Sequence, residues 1–292
     1  MSGAARSLLS EPGRYMRAFR LFLTRSTEHQ AMRAFIGDRL PPLLHSIGEG
    51  KEEINILSIG GGAGEIDLLI VTQVRARYPG VPINNEVVEP NAEQIVKYKE
   101  RVATTAGLEG VRFTWHQETA EEYQHRTTAS HQLRKWDLIH LIQMLYYVKD
   151  IPATLSFFHG LLDTNARILI ILVSGSSGWA HLWKQFGASL PRDDLCKYIS
   201  AADVAAALDA GGMRFQSHEL PSDLDISDCF VEGSGDGELL LDFLTETCNF
   251  SKVVPPALRA GVLEALRDPA CSVHRDGKVL FNNNLEALMV AP

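Results

Sequence analysis

The chain has 292 residues, of which 45% are hydrophobic and 22% are charged, and its formal net charge is −8. This composition is typical of a globular protein and argues against extended disorder. The acidic balance argues against a general nucleic-acid binder, because affinity for the phosphate backbone comes from clustered Lys and Arg, and it agrees with cationic substrates.

Two amphipathic helices are predicted in the first part of the chain. The first begins near Pro12, and three aromatic residues recur along one of its faces: Tyr15, Phe19 and Phe22. The second begins at a capping-box pattern formed by Thr27 and Gln30. Both precede the first predicted strand, so we expect them to be additions to a core fold.

From about residue 54, short apolar strands alternate with helical patterns. The predicted strands contain INILSI, NNEVVEP, VRFTWHQ, WDLIHLIQMLYYV, ARILIILVS, RFQSHEL and LEALMVA. Such alternation predicts an α/β fold with a parallel sheet. More than sixty residues separate the last two strands and include a helical pattern in ELLLDFLTETCNF, which predicts an insertion rather than a tight hairpin.

We expect one domain over residues 1–292, built from a core and helical insertions. The core is expected at about 51–175, 201–220 and 279–292, and the insertions at about 1–50, 176–200 and 221–278. Ligands of open α/β sheets bind at the carboxyl ends of the strands. The insertions are therefore expected to cover the carboxyl ends of the strands and to form a substrate-binding region.

The stretch ILSIGGGAGEIDL predicts a strand, a cofactor loop and a helix. Gly60, Gly62 and Gly64 form GxGxG, and no register completes the dinucleotide fingerprint GxGxxG. An acid as early as Glu65 would also repel a pyrophosphate at the helix N-terminus if its side chain faces the ligand. A cationic nucleoside without phosphate suits this loop better, and S-adenosylmethionine (AdoMet), with an ammonium and a sulfonium, is such a ligand.

Further candidates for contact with this nucleoside follow the next three strands. Glu89 ends the second strand, where an acid can accept both hydroxyls of a ribose; a solvated surface acid is the alternative. Gln94 begins the next helix and is placed to reach the same ligand. Thr119 and Ala120 follow the third strand at the height of an adenine, and Ile142 ends the fourth.

Aromatic residues gather in the insertions and the strand-end loops rather than in the strands. They are Tyr15, Phe19, Phe22, Tyr146, Tyr147, Trp179, Trp183 and Phe243. An aromatic box binds an ammonium or imidazolium by cation–π attraction of about 0.5 to 2 kcal/mol. Ordinary core packing is the alternative for each of these rings.

Two polar residues are candidates for substrate recognition: Glu28 lies in the first turn of the second helix, and Asn283 lies in FNNN before the last strand. Ile142 and Gln143 stand at the end of the fourth strand, so one of them could flank the adenosine while the other points into the reaction cavity. Glu28 could instead only stabilise the helix dipole, and Asn283 could be a turn residue. Since no Ser/His/Asp or Cys/His arrangement is recognisable, no strong general base is predicted.

The cysteines carry no sign of a metal site or of a disulfide framework. Cys196, Cys229, Cys248 and Cys271 are widely spaced, without a CxxC pair or a zinc-type His spacing. The N-terminus lacks an apolar segment of signal-peptide length, and the longest apolar run, ILIILV, is too short to cross a bilayer. We therefore expect a soluble cytoplasmic protein that has no metal and no membrane contact.

Several strings together resemble the histamine N-methyltransferase family: MRAFRLFL, STEHQ, ILSIGGGAGEIDL, INNEVVEP, IQMLYYVKDIPATL, SGSSGW, DISDCF, DFLTETCNF and KVLFNN. The resemblance runs essentially from end to end. It implies a cytosolic monomer with the class I AdoMet-dependent methyltransferase fold, which is Rossmann-like with a mostly parallel seven-stranded sheet and an antiparallel last strand. It also implies methylation of histamine on the ring nitrogen distal to the side chain.

The resemblance assigns roles by matching positions. It implies that AdoMet contacts Gly60, Glu89, Gln94, Ala120 and Ile142. It implies that Glu28 and Asn283 bind histamine, with Asn283 and Gln143 aligning it and the eight aromatic residues lining the site. Three positions depart from the family pattern: Ala120 replaces a usual serine, and Leu9 and Leu190 replace expected phenylalanines, which puts inhibitor selectivity in doubt.

Other functions stay open at this point. An AdoMet-dependent methyltransferase of another small amine or imidazole would have the same loop. An NAD-linked oxidoreductase is disfavoured by GxGxG, and a nucleic-acid methyltransferase by the acidic charge. An AdoMet-binding protein that has lost activity would show binding without methyl transfer.

Overall fold

The computed structural model describes residues 5–131, 133–191 and 195–292. The strands are β1 (Ile54–Ile59), β2 (Ile83–Val88), β3 (Val111–His116), β4 (Trp136–Ile142), β5 (Leu162–Val173), β6 (Phe215–Leu220), β7 (Asp223–Asp225), β8 (Ser272–Arg275), β9 (Lys278–Asn282) and β10 (Leu285–Val290). The helices are α1 (Pro12–Arg25), α2 (Glu28–Ala34), α3 (Leu40–Leu43), α4 (Glu65–Arg77), α5 (Ala92–Thr104), α6 (Ala120–Ala129), α7 (Ile151–Gly160), α8 (Gly178–Phe186), α9 (Ala201–Ala210), α10 (Gly235–Thr245), α11 (Phe250–Val253) and α12 (Pro256–Arg267).

Seven strands form one sheet in the order β3-β2-β1-β4-β5-β10-β6, mostly parallel with one antiparallel strand. β1 pairs in parallel with both β2 and β4, so the strand order reverses at β1. Ligands of open α/β sheets bind at the carboxyl ends of the strands beside such a reversal. The predicted α/β fold class is confirmed, and every predicted strand lies in this sheet.

The strands in the middle of the sheet are almost fully buried. Every residue of β4 except its last is buried, and so is the whole run 168–173 of β5. Burying one such Ile or Leu side chain stabilises the fold by about 1.5 to 3 kcal/mol. The unbroken apolar run is explained by this position, because a parallel strand inside the sheet is covered on both faces.

The chain divides into two compact units. Unit 1 comprises Met1–Ala31, Val173–Asp203 and Glu219–Glu286, and unit 2 comprises Met32–Leu172, Val204–His218 and Ala287–Pro292. Unit 2 contains β1 to β4 and helices α3 to α7, whereas unit 1 contains α1, α8, α10 to α12 and the short strands β7 to β9. The expected division into a core and three insertions stays a prediction.

Unit 1 contains a second, three-stranded antiparallel sheet that the sequence did not predict. Its order is β7-β9-β8, with Leu224 opposite Phe281 and Val273 opposite Leu280. β7 reads DLD and β8 reads SVHR, so neither has the apolar alternation that marks a strand. Within the described ranges, no helix is both long and apolar enough to cross a membrane.

Candidate active site

The glycine loop after β1 adopts backbone conformations that favour glycine. Gly60, Gly62 and Gly64 have φ values of 73°, 54° and 78°. A side chain in this left-handed region costs about 1 to 2 kcal/mol. Gly64 caps the N-terminus of α4, so the loop turns directly from strand to helix as the sequence predicted.

Two of these glycines differ in what surrounds them. A methyl group at Gly64 would collide with the ring of Tyr98, whereas one at Gly62 would have no heavy atom of the described residues within 4 Å. Gly64 is therefore required by packing against α5. Gly62 leaves an open face on which a ligand can approach the backbone.

Glu89 lies where the sequence placed it, at the end of β2. Its carboxylate accepts the Gly62 N–H at 3.0 Å on Oε2 and the Asn91 N–H at 2.9 Å on Oε1. Burial raises the pKa of Glu89, and the two N–H groups oppose that rise because they stabilise the carboxylate. The acid thus connects the glycine loop to the end of β2 and has lone pairs left for ribose hydroxyls.

The remaining predicted cofactor residues lie at the ends of neighbouring strands of the same sheet. Gln94 is half-buried in the first turn of α5, and Ala120 is buried at the start of α6. The Thr119 hydroxyl accepts the Glu122 N–H at 3.2 Å, and the Thr119 N–H donates to the Glu122 carboxylate at 2.7 Å, so the two residues form a capping box. Thr119 is therefore the N-cap of α6, and its predicted contact with adenine stays a prediction.

The end of β4 carries Ile142 and Gln143, followed by two tyrosines. Gln143 has a φ of 52°, and its N–H donates to the Ile171 carbonyl at 2.8 Å. A left-handed residue other than glycine is uncommon and clusters at functional sites. The Tyr146 hydroxyl donates to the Gln143 amide oxygen at 2.8 Å, which orients that side chain, while Tyr147 is exposed.

The charge of Glu65 is offset within unit 2. Its carboxylate forms an ion pair with Arg33 and lies 4.0 Å from the Arg101 guanidinium, whose Nε donates to the Ala63 carbonyl at 3.1 Å. The repulsion expected between Glu65 and a pyrophosphate is weakened by these cations. The incomplete GxGxxG pattern remains the stronger reason against a dinucleotide.

A buried polar network underlies the glycine loop, and the sequence reasoning missed it. The Asp67 carboxylate accepts the Ser58 hydroxyl and, at 3.1 Å, the Tyr98 hydroxyl, and its Oδ1 lies 3.7 Å from His140 Nδ1. A methyl group at Gly61 would lie 2.8 Å from Asp67 Oδ2, so the loop backbone rests directly on this carboxylate. An acid inside the apolar helix pattern EIDLLIV was the available signal.

Burial controls protonation in this network. Desolvation raises the pKa of Asp67, and the facing imidazole only partly opposes that rise. Desolvation also lowers the pKa of His140 and raises that of Tyr98 well above its ordinary value. Tyr98 therefore stays protonated at neutral pH and serves as a hydrogen-bond donor to Asp67.

Six of the eight predicted aromatic residues cluster in unit 1: Tyr15, Phe19, Phe22, Trp179, Trp183 and Phe243. Phe22 and Phe243 lie with their ring centroids 4.7 Å apart, and Trp179 meets Phe243 edge-on at 5.9 Å. These three rings are buried, so packing accounts for them as well as ligand binding does. Tyr15 and Phe19 are half-buried and stay accessible at one side of the cluster.

Glu28 and Asn283, predicted separately, lie side by side in unit 1 although 255 positions apart. Asn283 Nδ2 donates to Glu28 Oε2 at 3.2 Å and to Ser222 Oγ at 2.9 Å. Asn283 Oδ1 accepts the Trp179 indole N–H at 2.7 Å. All four side chains are buried. A buried carboxylate beside an amide and aromatic rings suits a small cation.

Within the described ranges, no group of three or more His, Cys, Asp or Glu side chains is placed to hold a metal ion.

Comparison with known proteins gives one consistent family. A family model described as a methyltransferase domain matches residues 28–218. The histamine N-methyltransferases of Mus musculus and Rattus norvegicus are 57% and 58% identical over 291 residues, covering 99% of this chain and 99% of each relative. A solved cyclopropane-fatty-acyl-phospholipid synthase-like protein from Lactobacillus casei shares the fold at a TM-score of 0.52, with 12% identity over 88% of this chain and 92% of that one.

Proposed function

The chain belongs to the histamine N-methyltransferase family, and we propose from that premise that it transfers a methyl group from AdoMet to the side-chain-distal (tele) ring nitrogen of histamine. The products are N-tele-methylhistamine and S-adenosylhomocysteine, so the reaction inactivates histamine. The observation that carries the proposal is the buried contact between Glu28 and Asn283, because it places a carboxyl group and an amide side by side for one small ligand.

The residues after β1 and β2 fit AdoMet. Gly62 leaves its backbone open to a ligand, and the carboxylate of Glu89 has lone pairs for the two ribose hydroxyls. AdoMet, when bound, supplies a methyl group that its sulfonium already activates. The tasks left to the chain are to hold the acceptor in line with the methyl–sulfur axis at roughly 3 to 3.5 Å and to exclude water.

The acceptor needs no dedicated base. An imidazole with a pKa near 6.5 is largely neutral at physiological pH, so its bare nitrogen can attack directly and the other ring N–H can later lose its proton to water. Glu28 and Asn283 hold the side-chain ammonium or fix the ring orientation. Gln143 contributes to alignment, and an aromatic ring that has the histamine ammonium over its face stabilises it by about 0.5 to 2 kcal/mol.

Replacement of Glu28 tests the substrate site. Glu28→Gln keeps the shape of the side chain but removes its charge, and we expect the histamine KM to rise by about 10- to 100-fold, since a charged hydrogen bond contributes about 1.5 to 3 kcal/mol. The KM for AdoMet should stay unchanged. Glu232→Gln removes the same charge from an exposed position of unit 1 and serves as the control. Unchanged KM and kcat for histamine in Glu28→Gln would contradict the assignment.

We also propose that the protein acts as a cytosolic monomer that binds no nucleic acid and is built as one methyltransferase domain with substrate-binding insertions. The family resemblance and the net charge of −8 support this proposal. Analytical ultracentrifugation at micromolar concentration should give a single species near 32.3 kDa. A stable dimer would contradict it.

A further inference from the structure

The amide of Asn283 is held from three directions, and the contacts specify which way it faces. We propose that Trp179 and Ser222 are positioning residues, which act through the indole N–H and the hydroxyl to hold the Asn283 amide with its nitrogen toward Glu28. This set of contacts is called the Asn283 lock below. The inference rests on the proposed function, because it takes Asn283 and Glu28 as the histamine-binding pair. It gives Trp179 a polar role in addition to its role in the aromatic cluster.

The chemistry of the partners makes the orientation unambiguous. An Asn amide presents two N–H donors on one side and an acceptor oxygen on the other. An indole N–H can only donate, so the side that faces Trp179 Nε1 at 2.7 Å must be the oxygen. The opposite side of the amide, which faces Glu28 Oε2 at 3.2 Å, is therefore the nitrogen, and it donates to that oxygen.

Ser222 completes this arrangement. Its hydroxyl accepts the second N–H of Asn283 at 2.9 Å, so both donors of the amide are used. The two residues are also tied through the backbone, since the Asn283 N–H donates to the Ser222 carbonyl at 2.9 Å. The Thr27 hydroxyl donates to Ser222 Oγ at 3.3 Å, which links the lock to the residue just before Glu28.

Burial makes a rotated amide costly. Asn283 is 0% exposed, and Trp179 and Ser222 are 4% and 3% exposed, so solvent compensates poorly for a lost hydrogen-bond partner. Rotation of the amide would place its oxygen against the Glu28 carboxylate and leave the indole N–H without an acceptor. Each such loss in a buried site is unfavourable, and here both would occur together.

The indole itself has little freedom to move. The Trp179 ring lies edge-on to Phe281 at 5.4 Å and to Phe22 at 6.3 Å. A methyl group at the preceding Gly178 would lie 2.5 Å from the Phe281 ring, so the start of α8 is packed tightly against β9. The donor that orients Asn283 is thus fixed by its own surroundings.

Trp179→Phe separates the polar role from the aromatic one. The variant keeps an aromatic ring but lacks the N–H, and we expect the histamine KM to rise about tenfold while the AdoMet KM stays within twofold. If Trp179 acts through Asn283, the same substitution made in an Asn283→Ala background should change the histamine KM by less than twofold. An equal change in the histamine KM in both backgrounds would mean that Trp179 acts only through its aromatic ring and not through Asn283, which would overturn the proposal.

Ser222→Ala provides a second variant with a matched control. It should raise the histamine KM by about three- to tenfold, since it leaves one Asn283 N–H without its acceptor. Ser272 is equally buried, and the described residues give its hydroxyl no partner, so Ser272→Ala should leave both KM values unchanged. Equal effects of the two serine variants would overturn the proposal.

A measurement without substrate distinguishes failure of the lock from failure of the proposed function. The chain has four tryptophans, so ¹⁵N-labelled protein gives four indole N–H resonances, of which Trp179→Phe identifies one. In Asn283→Ala that resonance should move upfield as its hydrogen bond is lost, while the other three stay in place. An unmoved Trp179 resonance in Asn283→Ala would overturn the proposed orientation of Asn283. If the resonance moves in that variant but the wild-type protein methylates no histamine, only the proposed function is refuted.

Discussion

Tyr98→Phe removes one hydroxyl from the buried network beneath the glycine loop. That hydroxyl donates to Asp67 Oδ2 at 3.1 Å and accepts the Asn85 Nδ2–H at 3.4 Å, and the whole side chain is 0% exposed. The phenyl ring that remains still packs against Gly64. The substitution therefore tests the hydrogen bonds alone, with the packing kept.

The expected cost follows from these two contacts. A hydrogen bond to a buried carboxylate contributes about 1.5 to 3 kcal/mol, and a buried amide N–H left without an acceptor costs about 1 kcal/mol more. We expect the free energy of unfolding to fall by about 2.5 to 4 kcal/mol, and the melting temperature by about 4 to 7 °C, since the unfolding entropy of a chain of this size is about 0.6 kcal/mol per degree. AdoMet affinity should fall as well, because Asp67 supports the loop backbone at Gly61.

Thermal unfolding and isothermal calorimetry with AdoMet measure the two effects. Tyr78→Phe is the matched control, since it also removes a tyrosine hydroxyl from unit 2, one that donates to the carbonyls of Leu44 and His45 at 2.7 and 2.6 Å. Its cost should stay near 1 kcal/mol, without a change in AdoMet affinity. A Tyr98→Phe protein that melts within 1 °C of wild type and binds AdoMet normally would refute the role of the network.

Two further predictions concern the same region. Gly62→Ala and Gly64→Ala each cost about 1 to 2 kcal/mol for a left-handed residue, but only Gly64→Ala adds a clash with Tyr98, worth about 1 to 3 kcal/mol. Urea unfolding should give Gly64→Ala a clearly lower free energy of unfolding than Gly62→Ala, and the reverse order would contradict the packing of Gly64 against Tyr98. Gly62→Ala should fold but lose AdoMet binding. Burial lowers the pKa of His140 below its unfolded value of 6.5, so as the pH drops below about 6.5 the unfolded chain takes up a proton there before the folded chain does. The free energy of unfolding should therefore decrease with falling pH in that range, by up to about 1.4 kcal/mol per pH unit. His140→Asn should lose that part of the slope, and an identical slope in both proteins would disprove it.

The order of strands and helices could be predicted because burial leaves a direct pattern in the sequence. β5 is covered on both faces and reads as an unbroken apolar run, and the glycine loop and Glu89 follow their strands in the expected places. The sheet of β7, β8 and β9 could not be predicted, since its strands are three to five residues long and two of them are largely polar.

Contacts between residues that are far apart in the chain could not be predicted from the sequence. Glu28 and Asn283 each had an ordinary alternative role, and only the fold of unit 1 joins them by a hydrogen bond. The polar function of Trp179 was likewise hidden, because a tryptophan at helical spacing indicates packing and says nothing about where its N–H points. Asp67, in contrast, left a readable signal as an acid within an apolar helix pattern.

Methyl transfer itself tests the proposed function most directly. Wild-type protein incubated with methyl-labelled AdoMet and a panel of imidazoles and amines should place the label on histamine, and NMR of the product should find it on the ring nitrogen distal to the side chain. Label on the other ring nitrogen, label on the primary amine, or no transfer to histamine would contradict the account.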